Sequence, residues 1–337
     1  MIVQITPYYP PDVSGVGDYA WELHQGFTVH HLESQVLSYH PRSTASLSKF
    51  PYVTSLSFKS GPDSIESQLA SLGEKDVVIL HYVGYGYSKR GVPFHLVTAL
   101  QRWKNKHPQV KLAIMFHEIY ATGPLTSSAF WLSGFQRRIA RQLLLLSDQV
   151  ITNAQVYSDI LRNWSKDKPI VCCEVFSNVG EPAPIAKSEP PFAVVFGNAR
   201  MKKNVYELVD QWKEELWNYG VKDIVDIGRV EGEPIELPPF SLSYRGFMDG
   251  AAVSELMSLA KIGLLHYPRE CLGKSGIYAS YLAHGVITIN THPSVIGTTK
   301  VSQQLQVSSE ECRLVYQHRN KSSALDVFLK FALQKPQ

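Results

Sequence analysis

The chain has 337 residues, of which 44% are hydrophobic and 19% charged, with a formal net charge of +3. That composition excludes a disordered or fibrous chain and leaves room for two domains of ordinary size. So mild a basicity admits anionic small molecules or a membrane surface as partners and falls short of a nucleic-acid footprint. The four cysteines (Cys172, Cys173, Cys271, Cys312) show no C-x-x-C spacing, so neither a disulfide framework nor a zinc site is expected. The start, MIVQITPYYPP, lacks the basic region and long apolar run of a signal peptide. No stretch approaches the roughly 20 apolar residues of a membrane helix, and the expected location is the cytoplasm, peripheral to a membrane at most.

In chain order, strands are expected at Met1–Thr6, Gln35–Ser38, Val77–His81, Leu112–Phe116 and Gln149–Thr152. Helical patterns fall between them at Gly17–Phe27, Ile65–Ser71, Phe94–Lys106 and Ser133–Leu146. Short apolar runs alternating with helices argue for a parallel sheet covered on both faces. GEPAPIAKSEPP, residues 180–191, is the richest proline stretch and has no periodicity, so it reads as a linker. The pattern then restarts with Phe192–Gly197, a helix at Val205–Trp217, Ile224–Gly228, Leu242–Gly246, a helix at Ala251–Leu259 and Ile262–Leu265. A helix ending at Gly285, a strand at Val286–Ile289 and a last helix at Ser322–Leu333 complete it. The expected fold is α/β, with two Rossmann-like doubly wound domains facing across a cleft: residues 1–178, a linker at 179–191, and 192–321. Residues 322–337 form a terminal helix expected to pack back on the first domain.

Polar groups sit where such a cleft needs them, at the carboxyl ends of strands. Thr6 leads into a turn with Gly15 and Gly17 before a helix; other strands end at His81 and at His117-Glu118. In the second half, Phe192–Phe196 runs into Gly197 and NARMKKN. The loop after Leu265 carries Glu270, Gly273, Lys274, Ser275 and Gly276 just before a helix, where free N–H groups, the helix dipole and a lysine suit a diphosphate. Arg200, Lys202, Lys203 and Lys274 are the candidate partners for a leaving group that gains negative charge, a task that fixed cations perform without a metal. Glu270 adds a carboxylate acceptor to the loop after Leu265. His81 and His266 are read as structural, and Glu118 as either an acceptor-side base or a helix partner. A dinucleotide fingerprint fails on spacing, a P-loop is absent, and no D-x-D offers metal ligands. Phe135 to Leu146 places Arg137, Arg138 and Arg141 around an apolar stripe, a pattern that could rest on an anionic membrane or form a core helix with a solvated face.

Across nearly its whole length the chain resembles the GT-B fold glycosyltransferases, close to the retaining family 4 group. The resemblance is carried by PYYPPDVSGVGDYAWEL, FHEIY with SDQVITNA, FGNARMKKNVYELV, and YRGFMDGAAVSELMSLAKIGLLHYP running into KSGIYASYLAHGVITI. It implies a UDP- or GDP-sugar donor and transfer of a hexosyl or N-acetylhexosaminyl group to a sugar, lipid-linked or small-molecule hydroxyl. It also implies retention of configuration with no metal or other cofactor; the charge balance argues against a nucleic-acid partner. By the same resemblance His117 lies near the donor sugar, and Lys203 takes the lysine position of the family's phosphate-gripping pair. Asn198 stands at the arginine position, with Arg200 two residues later. Gly15, Gly17, Gly197, Lys202, Gly246, Phe247, Gly273, Lys274, Ser275 and Gly276 belong to the implied donor site. The family's Glu-x7-Glu positions are held by Leu272 and Ser280, so Glu270 fills the first role only with a two-residue offset and Ser280 offers the ribose one hydroxyl. That departure leaves open a pseudoenzyme that binds without transfer, or an epimerase or phosphorylase on the same scaffold. Nothing in the sequence sets the oligomeric state.

Overall fold

Runs of β-branched and aliphatic residues too short for helices pair in parallel here and are buried on both faces. The computed structural model describes residues 1–12, 14–39, 50–57, 64–121, 126, 128–229 and 235–333. Val13 of the Gly-rich turn and residues 334–337 of the terminal segment lie outside the described residues. The chain divides into two compact units, Met1–Glu174 joined by the chain from Ala324 onward, and Val175–Ser323.

The first unit holds β1 (Ile2–Thr6), β2 (Ser34–Ser38), β3 (Val53–Ser55), β4 (Val77–Tyr82), β5 (Lys111–Phe116), β6 (Gln149–Thr152) and β7 (Ile170–Cys172). Their order is β3-β2-β1-β4-β5-β6-β7, all parallel, with Ile2 opposite Ser34 on one side and Val77 on the other. Every residue of β1 and β4 is buried, as a two-sided parallel sheet requires. The helices used below are α1 (Gly15–Val29), α2 (Phe94–Lys106), α3 (Ser128–Leu146) and α4 (Gln155–Trp164). Ile5, Leu80, Trp103, Ile114 and Phe116 lie in the core they enclose.

The second unit holds β8 (Phe192–Phe196), β9 (Asp223–Ile227), β10 (Ser241–Gly246), β11 (Ile262–Leu265) and β12 (Ile287–Asn290), in the order β10-β9-β8-β11-β12 and again all parallel. Its main helices are α5 (Ala199–Glu207), α6 (Gly250–Leu259), α7 (Gly276–Ala283) and α8 (Ser309–Gln317). The last helix, α9 (Lys321–Leu333), lays Leu325 against Gly26 of α1. In both sheets the winding reverses once, between β1 and β4 and between β8 and β11, and such switch points are where open α/β sheets bind ligands.

Several expectations are corrected. The single helix expected at Val205–Trp217 is α5 followed by a 3₁₀ turn at Val209–Gln211 and a short helix at Lys213–Asn218. The Asn198 side chain caps the Met201 N–H and starts α5 six residues early, while buried Trp212 breaks the helix and donates its indole N–H to the Val205 carbonyl. The segment carrying Glu270 is no open loop but a 3₁₀ helix, Arg269–Lys274. Strands β3 and β7, three residues each, and helix α4 escaped the sequence pattern. The stop at Gly285 is a Schellman motif: φ is +62°, and the Val286 and Gly285 N–H groups return to the Tyr281 and Leu282 carbonyls.

Candidate functional site

In the first unit the polar groups form one buried chain across the carboxyl ends of four adjacent strands. Gln4 on β1 donates from Nε2 to the Ala20 carbonyl, which turns its Oε1 toward His81 Nε2 at 2.9 Å. His81, on β4, is fully buried, and desolvation lowers its pKa to about 3, so the ring is neutral. With its Nε2–H donated to Gln4, its Nδ1 must accept, and the partner 3.2 Å away is His117 Nε2. His117 is thereby fixed as the Nε2–H tautomer, with the Nδ1 lone pair facing Asn153 Nδ2 at 3.5 Å. The Asn153 Oδ1 is buried and has no partner among the described residues. Tyr19 packs edge-on against both imidazoles, with ring centroids 5.9 and 5.3 Å away. His81 is thus structural in the sense expected, yet its bond goes to His117. Gln4 and Asn153 were missed; a glutamine inside an otherwise apolar strand was the available signal.

The two glycines in the first turn of α1 have different tasks. A Cβ on Gly17 would meet the Tyr8 carbonyl oxygen at 2.9 Å, so the Tyr8–Tyr9 backbone crosses the helix start only over a glycine. A Cβ on Gly15 would find no atom within 4 Å. Ser14 caps the helix by accepting from the Gly17 N–H.

In the second unit helical spacing sorts the basic residues after β8. Arg200 and Lys203 point outward, with Lys203 74% exposed and 3.6 Å from Glu207. Lys202 turns inward: its side chain is 3% exposed as a residue, and Nζ binds Asp226 of β9 and the Gly228 carbonyl. The second Asp226 oxygen accepts from Tyr206. The ammonium of Lys202 is therefore committed to the protein interior rather than held out as a phosphate contact. A cavity of about 760 Å³ runs along α5, where Arg200, Lys202 and Lys203 meet Tyr206, Asp226 and Tyr244. Gly246, Phe247 and residues 270–276 do not line it.

A second cluster flanks the switch point between β8 and β11. Gly197 leaves β8 at φ +147° and packs so closely on α7 that a Cβ would lie 2.7 Å from Ile277 Cδ1. Ser275 caps α7, its hydroxyl accepting the Tyr278 N–H, and the Gly276 and Ile277 N–H groups find no acceptor among the described residues. Lys274 stands half-buried beside them and Gly273 is buried. Arg319, buried and unforeseen, holds this turn by donating to the Val175, Leu272 and Gly273 carbonyls and lying over the Tyr278 ring. Glu270 is exposed. Ser280 is fully buried; it donates to the Gly276 carbonyl at 2.8 Å and accepts from Ser177, so its hydroxyl is satisfied within the protein. At the end of edge strand β10, Gly246 takes φ +64° with open space where a Cβ would be, and Phe247 is 77% exposed.

No family model matches the sequence, and neither does any curated protein. Solved structures do match. An alpha-glucosyltransferase in complex with UDP is 12% identical and superposes with a TM-score of 0.61 over 99% of both chains. A glycosyltransferase from Rickettsia africae gives 13% identity and 0.61 over 99% of both, and the pneumococcal O-GlcNAc transferase in complex with UDP and GlcNAc gives 10% and 0.62 over 98% of both. The chain shares their two-domain, Rossmann-like GT-B fold. At these identities the likeness is one of architecture, and the chemistry has to be argued from the residues.

Proposed function

We propose that the chain is a glycosyltransferase that moves a hexosyl or N-acetylhexosaminyl group from a UDP- or GDP-sugar to an acceptor hydroxyl, with retention and without a metal, as in the family 4 group. The observation that carries this reading is the corner between Gly197 and the capped start of α7, at the switch point of the second sheet. There the unsatisfied N–H groups of Gly276 and Ile277 adjoin Lys274, on a turn whose Leu272 and Gly273 carbonyls are held by Arg319, and this suits a diphosphate. The UDP in the alpha-glucosyltransferase and in the O-GlcNAc transferase supports a uridine donor.

In this reading Arg200, Lys203 and Lys274 stabilise the charge that grows on the departing diphosphate, and Phe247 stacks on the base beside Gly246. Asn153, beside His117, offers the acceptor Oδ1 to a sugar hydroxyl, and Glu270 offers a carboxylate. The departing phosphate itself takes the acceptor proton on the same face, so no protein nucleophile is needed. The buried, satisfied Ser280 and the Leu272 at the family's carboxylate positions favour a second reading, a pseudoenzyme that binds nucleotide without transfer.

A thermal-shift panel of UDP-, GDP- and ADP-sugars beside the bare nucleotides separates the two. Stabilisation by one donor, followed by its slow hydrolysis, supports the transferase; stabilisation by bare nucleotide alone supports the pseudoenzyme. No shift with any of them overturns both.

A further inference from the structure

Charge is distributed very unevenly along this chain. Residues 77–147 carry nine lysines and arginines and a single acid, Glu118, a balance of +8 within a chain whose net charge is +3. Some of that charge is used internally: Lys104 pairs with Asp148, Lys111 reaches the Phe331 carbonyl, and Arg137 and Arg141 lie over the rings of Tyr120 and Trp164. Lys89, Arg90 and Arg138 are exposed.

The same region exposes its largest apolar side chains. Trp131 is 71% and Phe135 52% exposed, and with Arg138 they recur at i, i+4 and i+7 on one face of α3. Phe135 meets Phe94, at the start of α2, edge-on at 6.3 Å. A shallow groove of about 500 Å³ joins these rings to the 88–92 turn, lined by Lys89, Arg90, Val92, Phe94, Leu132 and Phe135. Scattered exposed aromatics need no explanation, whereas a tryptophan and two phenylalanines grouped among unneutralised cations do.

We propose that this face docks on an anionic membrane surface, with Trp131, Phe135 and Phe94 entering the headgroup region while Lys89, Arg90 and Arg138 meet lipid phosphates. The pairing of aromatic and basic side chains decides the occupant. A lipid interface accepts rings and cations together, whereas a duplex nucleic acid would engage the cations and leave the rings in water. Among the described residues no helix is long and apolar enough to cross a membrane, so the contact is a surface one. The inference goes beyond the transfer reading and does not depend on it; if both hold, the acceptor class is lipid-linked.

The test is co-sedimentation of the full chain with vesicles of phosphatidylcholine alone and of phosphatidylcholine with phosphatidylglycerol, with a short DNA duplex in a parallel binding assay. Binding to the anionic vesicles that weakens with salt is expected. It should fall about tenfold or more both in Trp131→Ser/Phe135→Ser and in Lys89→Glu/Arg90→Glu/Arg138→Glu. These side chains are exposed, so both variants should keep the parent's melting temperature and its response to nucleotide sugars. Equal binding to neutral vesicles, no binding, binding to the duplex but not to vesicles, or indifference to both variants would overturn the proposal. Loss of vesicle binding with the nucleotide response intact would leave the transfer reading untouched.

Discussion

The carboxyl ends of the two sheets solve the placement of polar groups in opposite ways. In the first unit, Gln4, His81, His117 and Asn153 bond to one another in a buried chain, in which the Asn153 Oδ1 is the acceptor with no partner among the described residues. In the second, Arg200 and Lys203 of α5 are exposed, Lys203 beside Glu207, the Gly276 and Ile277 N–H groups of α7 find no acceptor among the described residues, and Lys202 is paired inside. A closed network orients a group by fixing its tautomer; exposed cations and helix N–H groups without an acceptor can turn to a ligand. The first arrangement suits hydroxyl recognition, and the second suits an anion.

Two neighbouring lysines on α5 give the sharpest way to break that contrast. Lys202→Met should leave the Asp226 carboxylate buried without its cation and cost about 3–5 kcal/mol of stability, read by urea unfolding. Lys203→Ala should leave stability within about 0.5 kcal/mol of the parent, because an exposed pair with Glu207 contributes little. Its turnover should instead fall by a factor of about 100 or more, with Glu118→Gln costing less. Unchanged turnover in the Lys203 variant would remove the phosphate role assigned to α5.

The difference between these two lysines also marks how far the sequence can be read. Apolar runs and helix spacing are enough for two parallel sheets and the stop at Gly285, but not for the three-residue edge strands β3 and β7. Which lysine turns inward depends on where α5 begins, and that is set by a single cap at Asn198 that the periodicity of Val205–Trp217 does not contain. The turn at residues 273–276 was visible because glycine, lysine and serine adjoin in sequence. Its support was not, since Arg319 comes 45 residues after Lys274 and reaches the turn through backbone carbonyls, which leave no mark on composition. The His117 partners were hidden for the same reason: Gln4, His81 and Asn153 lie on three separate strands or strand ends and meet only when the sheet forms.

The closed network has its own signature, in pH. Burial holds the His81 pKa at about 3, whereas the unfolded chain takes up that proton near pH 6.5. The stability gained by keeping the ring neutral is complete above about pH 6.5 and is lost as pH falls toward 3, by up to about 1.4 kcal/mol per pH unit. His284, lowered to about 4 by burial, adds a loss in the same direction. Between pH 7 and pH 5, His81→Gln should therefore lose about 2 kcal/mol less stability than the parent in paired urea titrations. Equal losses would mean that His81 reaches water and that the tautomer of His117 is set by something else.

The smallest effect separates the two glycines at the start of α1. Gly17→Ala places a methyl group 2.9 Å from the Tyr8 carbonyl oxygen, a contact relieved only by moving backbone, and should cost about 1–3 kcal/mol. Gly15→Ala meets open space at the first helical position and should stay within about 0.5 kcal/mol of the parent. If thermal melts show the Gly15 variant to be the less stable one, the order is reversed, and the Tyr8–Tyr9 crossing is not what requires glycine there. If they follow the stated order, any loss of donor response in the stable Gly15 variant belongs to the ligand rather than to the fold, because the added methyl group then touches nothing else.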